Sequence, residues 1–311
     1  MRSKLMTTLF VTVLGLTTAP LALEHLNNLK GVAEKWTRNP FLSGIVSVYA
    51  STNETAESEP PLSGMNARRP ADSSDEFHWN GRLAAGNTIQ IRGVNGNISA
   101  EPSASGEVEV VAVKTGRRSD PKEVEIRVVE HSGGVTICSV YPSADGSRPN
   151  DCQPGENWHS STRNNDVNVE FKVRVPQGLR FRGATVNGDV ETGALSSDVE
   201  ATTVNGSIRI SAAGIARATT VNGSITASLG NANWTSPLEF KTVNGSITLD
   251  LPSSTNAELR AETLNGDISS DFQMNTLSRV GRKHLSGTIG SGGRELSLKT
   301  INGNILLKRT S

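Results

Sequence analysis

Leu238–Pro252 reads LEFKTVNGSITLDLP. Leu238, Phe240 and Thr242 fall on one face of an extended chain. Ile247, Leu249 and Leu251 fall on one face after Asn244-Gly245. The two sets have opposite parity. Side chains alternate along a strand, so one straight strand cannot bury both sets. The chain must turn at Asn-Gly. The last unit repeats the pattern: Leu296, Leu298 and Thr300 precede the phrase INGNI, and Ile305 and Leu307 follow its first residues.

The phrase at the turn occurs eight times. It reads VNGNI at Val94–Ile98, VNGDV at Val186–Val190, and VNGSI at Val204–Ile208, Val221–Ile225 and Val243–Ile247. It continues as LNGDI at Leu264–Ile268, LSGTI at Leu285–Ile289 and INGNI at Ile301–Ile305. The expected turn residues are therefore Asn95-Gly96, Asn187-Gly188, Asn205-Gly206, Asn222-Gly223, Asn244-Gly245, Asn265-Gly266, Ser286-Gly287 and Asn302-Gly303. From Gly188 onward the glycines recur every 16 to 22 residues, a period that marks stacking of one supersecondary unit.

Two architectures satisfy the parity. In stacked β-hairpins, Asn-Gly forms a type I′ turn and pairs Phe240 with Leu249. In a solenoid, Asn-Gly is a corner, and each strand pairs with its equivalent in the next coil. Local chemistry favours the hairpin. Recurrence of Asn at one position favours the solenoid, because stacked Asn side chains form hydrogen-bonded ladders. The expected class is all-β, a solenoid-like stack of two-strand repeats with an N-terminal β-sheet cap.

Four segments follow along the chain. Residues 1–23 read as an export signal, with MRSK before the apolar Leu5–Leu16 and with Ala19 and Ala22 as candidate cleavage residues. Residues 24–76 read as a short helix at Glu24–Asn39 and a polar, disordered linker from Ser51. Residues 77–180 form the cap, with alternating runs such as EVEVVAV at Glu107–Val113. The repeat occupies 181–311.

Cys138 and Cys152 are the two cysteines, and they flank a turn-rich loop. In an exported chain this arrangement favours a disulfide. By the loop-closure argument it contributes about 3 kcal/mol. Charge is balanced at 31 basic and 31 acidic residues, which gives no basic excess for nucleic acid or an anionic membrane. Membrane contact is expected only through a retained N-terminal segment.

The repeated phrase resembles that of exported bacterial proteins catalogued as putative adhesins, which carry a β-strand-repeat domain of unknown function. FHWNGRLAAGNTIQIRGVNGNISAEP at Phe77–Pro102 is similar to the opening of that domain, and TVNGSITLDLP and ETLNGDISSDF are similar to its body. The resemblance spans about Phe77 to Arg309. It implies a right-handed β-helix-like fold and an envelope or extracellular location, and it brings no catalytic motif. Ser286 departs from the pattern and is expected to interrupt an Asn ladder.

Chemistry-bearing residues are sparse. His25, His78, His131, His159 and His284 are scattered, with no metal-ligand spacing, and no nucleophile elbow or phosphate loop occurs. No metal or cofactor is expected. Asp189, Asp250 and Asp267 are the carboxylates to weigh as a glycosidase pair, but the position of Asp189 and Asp267 is Ser, Thr or Asn in other copies, as suits a solvent-facing turn. Trp158 and Trp234 are loop aromatics, suited to sugar contact or to covering an open core edge. Together these readings lead to an exported, non-enzymatic β-repeat protein that binds an envelope component, a polysaccharide or an extracellular protein. The alternatives are an envelope-stress-sensing ectodomain tethered by the linker and, more remotely, a polysaccharide-active enzyme.

Overall fold

The computed structural model describes residues 73–144, 149–155, 160–231, 234–280 and 283–310. The expected signal segment, the helix at Glu24–Asn39, Trp36 and Trp158 lie outside the described residues.

The opening strands are β1 (Ser73–Gly81), β2 (Thr88–Arg92), β3 (Ile98–Pro102), β4 (Val108–Gly116), β5 (Glu125–His131), β6 (Gly134–Val140) and β7 (Asn168–Val175). Next come β8 (Arg180–Ala184), β9 (Val190–Leu195), β10 (Val199–Thr202), β11 (Ile208–Ala212), β12 (Ala216–Thr219), β13 (Ile225–Leu229), β14 (Leu238–Lys241) and β15 (Ile247–Pro252). The chain ends with β16 (Ala257–Asn265), β17 (Ile268–Ser270), β18 (Met274–Val280), β19 (His284–Ile289), β20 (Glu295–Asn302) and β21 (Ile305–Thr310). They form one sheet of ten strands and one of eleven.

Pairing decides between the two architectures. Phe240 pairs with Ala218 of the preceding coil and Leu298 of the next, in parallel register, and not with Leu249. Ile247 likewise pairs with Ile225 and Ile305. The stacked-hairpin alternative is thereby overturned: the fold is a solenoid-like stack in which Asn-Gly is a corner. The parity argument holds at each face, with Leu238, Phe240, Ile247, Leu249, Leu251, Leu296, Leu298, Ile305 and Leu307 fully buried between the sheets. Each such apolar side chain contributes roughly 1.5–3 kcal/mol by leaving water.

The cap does not end at residue 180. β2 and β3 form a coil whose strands pair in parallel with β8 and β9, so the first Asn-Gly belongs to the repeat stack. β6 and β7 form another coil on their far side. Only β5, β4 and β1 add in antiparallel fashion at that end.

The linker expected to reach residue 76 ends earlier, because β1 begins at Ser73. Its first residues are polar, yet Asp75 lies 2.6 Å from the buried Lys114 ammonium, which holds its carboxyl below the usual range. Farther along β1, Phe77 and Trp79 pack on the core.

At the other end, space departs from sequence order. The final unit, β20/β21, inserts between β14/β15 and β16/β17. Ser286 and Gly287 make no turn. They lie inside β19, which pairs antiparallel with β16 and β18. Because LSGTI belongs to a terminal hairpin outside the coils, it cannot interrupt their ladder.

Candidate functional site

Seven Asn side chains stack along the corner edge. Asn187, Asn205, Asn222, Asn244, Asn302 and Asn265 each donate from Nδ2 to the Oδ1 of the preceding rung, at 2.7–2.8 Å, beginning from Asn95. Each side-chain amide thus gives one bond and receives one, except at the two ends of the row.

Two further rows flank this one. The Thr before the aliphatic residue is buried and donates to the Gly carbonyl of the neighbouring coil. Examples are Thr203 to Gly188 at 2.8 Å, Thr242 to Gly223 at 2.8 Å and Thr263 to Gly303 at 2.9 Å. The residue after Gly accepts from the equivalent backbone N–H of the next coil. Asn97 takes that of Asp189, Asp189 that of Ser207, Ser246 that of Asn304, and Asn304 that of Asp267. A short side chain with an acceptor oxygen is therefore required there. The position is more constrained than a solvent-facing turn, and its restriction to Asn, Asp and Ser in the stacked copies was the signal for it.

The glycines are needed for close approach. A Cβ on Gly245 would overlap the carbonyl of Gly223, and one on Gly206 would overlap that of Gly188. Gly245 is absent from the positive-φ glycines, so left-handed backbone is not its reason. Gly96, with φ of 120°, meets both constraints.

This edge is occupied with holding coils together. Asp189 and Asp267 stand five rungs apart in their row, about 24 Å at the spacing of strands, far beyond the separation of a glycosidase pair. Asp189 also pairs with Arg209 at 3.7 Å. No group of three or more His, Cys, Asp or Glu placed to hold a metal occurs among the described residues. Trp234 packs against the core as a cover.

The opposite case is the 27-residue connection from Tyr141 to Val167, between β6 and β7, which replaces an Asn-Gly corner. A Cys138–Cys152 disulfide ties it to β6. Arg92 of β2, in register with Cys138 and buried, donates to the carbonyls of Gln153 and Gly155. Asn150, also buried, donates to the carbonyls of Tyr141 (2.9 Å) and Ser161 (2.7 Å) and accepts from the Ser161 N–H. The Tyr141 hydroxyl donates to the Val167 carbonyl at 2.8 Å and reaches the Asn95 carbonyl at 3.3 Å, closing the end of the Asn stack. Burial raises its pKa and keeps the phenol neutral. Asp166 accepts from the backbone N–H groups of Ser119 and Arg118, which lower its pKa to about 2.

Sequence reasoning found the two cysteines but missed Arg92, Asn150, Tyr141 and Asp166. Asn150, Tyr141 and Asp166 lie in stretches without periodicity, and Arg92, at the end of an alternating strand, takes partners some sixty residues away.

The family described as Toastrack DUF4097 matches residues 87–308. Among solved structures, the chain is similar to a putative cell adhesion protein from Clostridium sporogenes ATCC 15579, at 12% identity over 76% of this chain and 100% of that one, with a TM-score of 0.42. It is similar to a putative adhesin from Bacteroides fragilis NCTC 9343, at 12% identity over 76% and 97%, with a TM-score of 0.31. A putative lipid binding protein from Parabacteroides distasonis ATCC 8503 is similar at 11% identity over 76% and 97%, with a TM-score of 0.21. No curated protein matches.

Proposed function

The chain belongs to the Toastrack DUF4097 family, and we propose that it is an exported, non-enzymatic binding scaffold that presents its Cys-loop end to a cell-envelope polysaccharide. One observation carries this reading. The described part of a 27-residue connection is fixed against the sheet by a disulfide, a buried guanidinium, a buried amide and a buried phenol. Connections this long are commonly functional, and a rigid scaffold under such a loop is how binding geometry is held. The disulfide suits an oxidising compartment.

The outer face of the eleven-stranded sheet supports the same reading. Arg182, Glu200, Arg217 and Glu239 lie in register on successive strands, alternating in sign. Arg182 and Glu200 pair at 3.1 Å. Exposed pairs of this kind contribute only about 0.2–1 kcal/mol each, so the row mainly keeps the sheet face polar while the loop supplies selectivity.

The test is capture of envelope polysaccharide fractions, host matrix proteins and other envelope fractions by the full chain, with polysaccharide chain length monitored throughout. Saturable capture without shortening of the polymer is the expected result. Failure to capture a polysaccharide fraction, or turnover of the polymer, overturns the reading.

A further inference from the structure

Beside the Cys loop lies a cavity of about 370 Å³ on the outer face of the eleven-stranded sheet. Its floor is built by register. Thr88 pairs with Gly134 and Arg180, and Gln90 pairs with Thr136 and Arg182. His131, on β5, lines the neighbouring wall, and Gly155 of the Cys loop lines another. Arg92, two residues beyond Gln90 on the same strand face, holds Gly155 in place.

A hydrogen-bond chain sets the polarity of the floor. The Gly133 N–H donates to His131 Nδ1 at 3.2 Å, so the neutral ring carries its proton on Nε2, 3.3 Å from Thr136 Oγ1. Thr136 in turn donates to Gln90 Oε1 at 3.2 Å. This assigns the Gln90 oxygen to Thr136 and leaves Nε2 as the remaining group. Gln90 is 4% exposed, and Nε2 has no hydrogen-bond partner among the described residues. A buried donor without a partner is costly, and what it lacks is an acceptor.

Charge points the same way. Arg180 and Arg182 line the cavity, and no carboxylate does. Arg182 is already engaged by Glu200, whereas the exposed Arg180 has no ion pair among the described residues. A guanidinium and a buried amide donor lining one cavity can each serve an oxygen of a planar or tetrahedral oxyanion. The volume lies at the lower end of small-molecule sites, about 300–1,000 Å³, which suits a single sugar unit.

We propose that this cavity binds the oxyanion of an acidic sugar residue, a carboxylate or a phosphate, with Gln90 Nε2 and Arg180 as its donors. The proposal deepens the polysaccharide-binding reading above and rests on it. The ring would stand against Gly155, so the Cys loop would select the sugar while the sheet holds its charge.

Calorimetric titration of the full chain with glucuronic acid, glucose 6-phosphate, glucose and inorganic phosphate tests it. The acidic sugars are expected to bind saturably and glucose not at all. Affinity should fall roughly tenfold or more in Arg180→Ala and in Gln90→Met, and stay unchanged in Arg217→Ala, which lies on the same face outside the cavity. Arg180 is exposed, so its variant keeps the test valid if Gln90→Met folds poorly. The glucuronic acid and glucose 6-phosphate arms separate carboxylate from phosphate. No saturable binding of either acidic sugar, binding indifferent to both variants, or inorganic phosphate matching glucose 6-phosphate would each overturn the proposal. Envelope polysaccharide captured equally by wild type and both variants would also overturn it while leaving the scaffold reading intact. Acidic sugars held at the cavity by a chain that captures no envelope fraction would sink the scaffold reading instead.

Discussion

Coil β12/β13, inside the stack, and coil β6/β7, at its end, close their corners by different chemistry. The first uses Asn222-Gly223, neutral side chains and bonds that recur from coil to coil. The second uses a long connection, a disulfide, a buried cation and a carboxylate. A ladder is satisfied only between neighbours, so an interior rung needs nothing but another copy of itself. The end rung has no such neighbour. Tyr141 and the Val167 carbonyl stand in for it, and the irregular sequence needed to place them is also what creates a loop with its own surface.

The largest expected effect breaks the regular side of this comparison. Gly245→Val forces a side chain into the Gly223 carbonyl and should cost about 3 kcal/mol, the upper range for overpacking. Thermal unfolding checks it, and an unchanged midpoint would mean that the coils are not in close contact there.

Removing the disulfide with Cys138→Ser and Cys152→Ser should cost about 2–3 kcal/mol, localised to the loop. Hydrogen exchange should rise at residues 149–155 and stay unchanged in β12 and β13. Equal loss at both places would erase the distinction between the two regions.

Within the ladder, position should matter. Asn222→Ala removes two rung bonds, one given to Asn205 and one received from Asn244, whereas Asn265→Ala removes one. At about 1 kcal/mol per bond, denaturant unfolding should show the interior variant to be roughly twice as damaging.

The smallest effect is a pH dependence confined to the Cys-loop end. The Asp166 pKa is depressed in the folded chain, to about 2, by the Ser119 and Arg118 N–H groups. Its contribution is therefore present above the unfolded carboxylate value, about 4, and is lost as pH falls through about 2. Amide exchange at Ser119 should quicken across that window, and Asp166→Asn should remove the dependence. The Asn rungs carry no titrating group and should not follow it.

Much of the fold was legible because its signals are local. Parity across LEFKTVNGSITLDLP identified the core, and recurrence of Asn identified the ladder. The failures share one cause. LSGTI has the phrase but not the partners: β19 lies between two antiparallel strands, where its Ser-Gly is ordinary strand. Ser73–Glu76 looks like linker because the buried Lys114 that holds Asp75 is remote in sequence. Gln90 and Arg92 alternate with the inward Ile89 and Ile91, yet both are buried, and Arg92 bonds to loop carbonyls some sixty residues away.

The sequence by itself determined the two-strand unit, its inward-facing residues, the presence of a turn between the strands and the cysteine pair, because each is written within a dozen or so residues. Tertiary structure decided which strands are neighbours: β20/β21 slots between β14/β15 and β16/β17, and β6/β7 closes the other end. Strand pairing is non-local. Many coils present similar registers, and the entropy of closing a loop changes only slowly with its length, so spatial order is settled by which edges remain open when the whole stack forms.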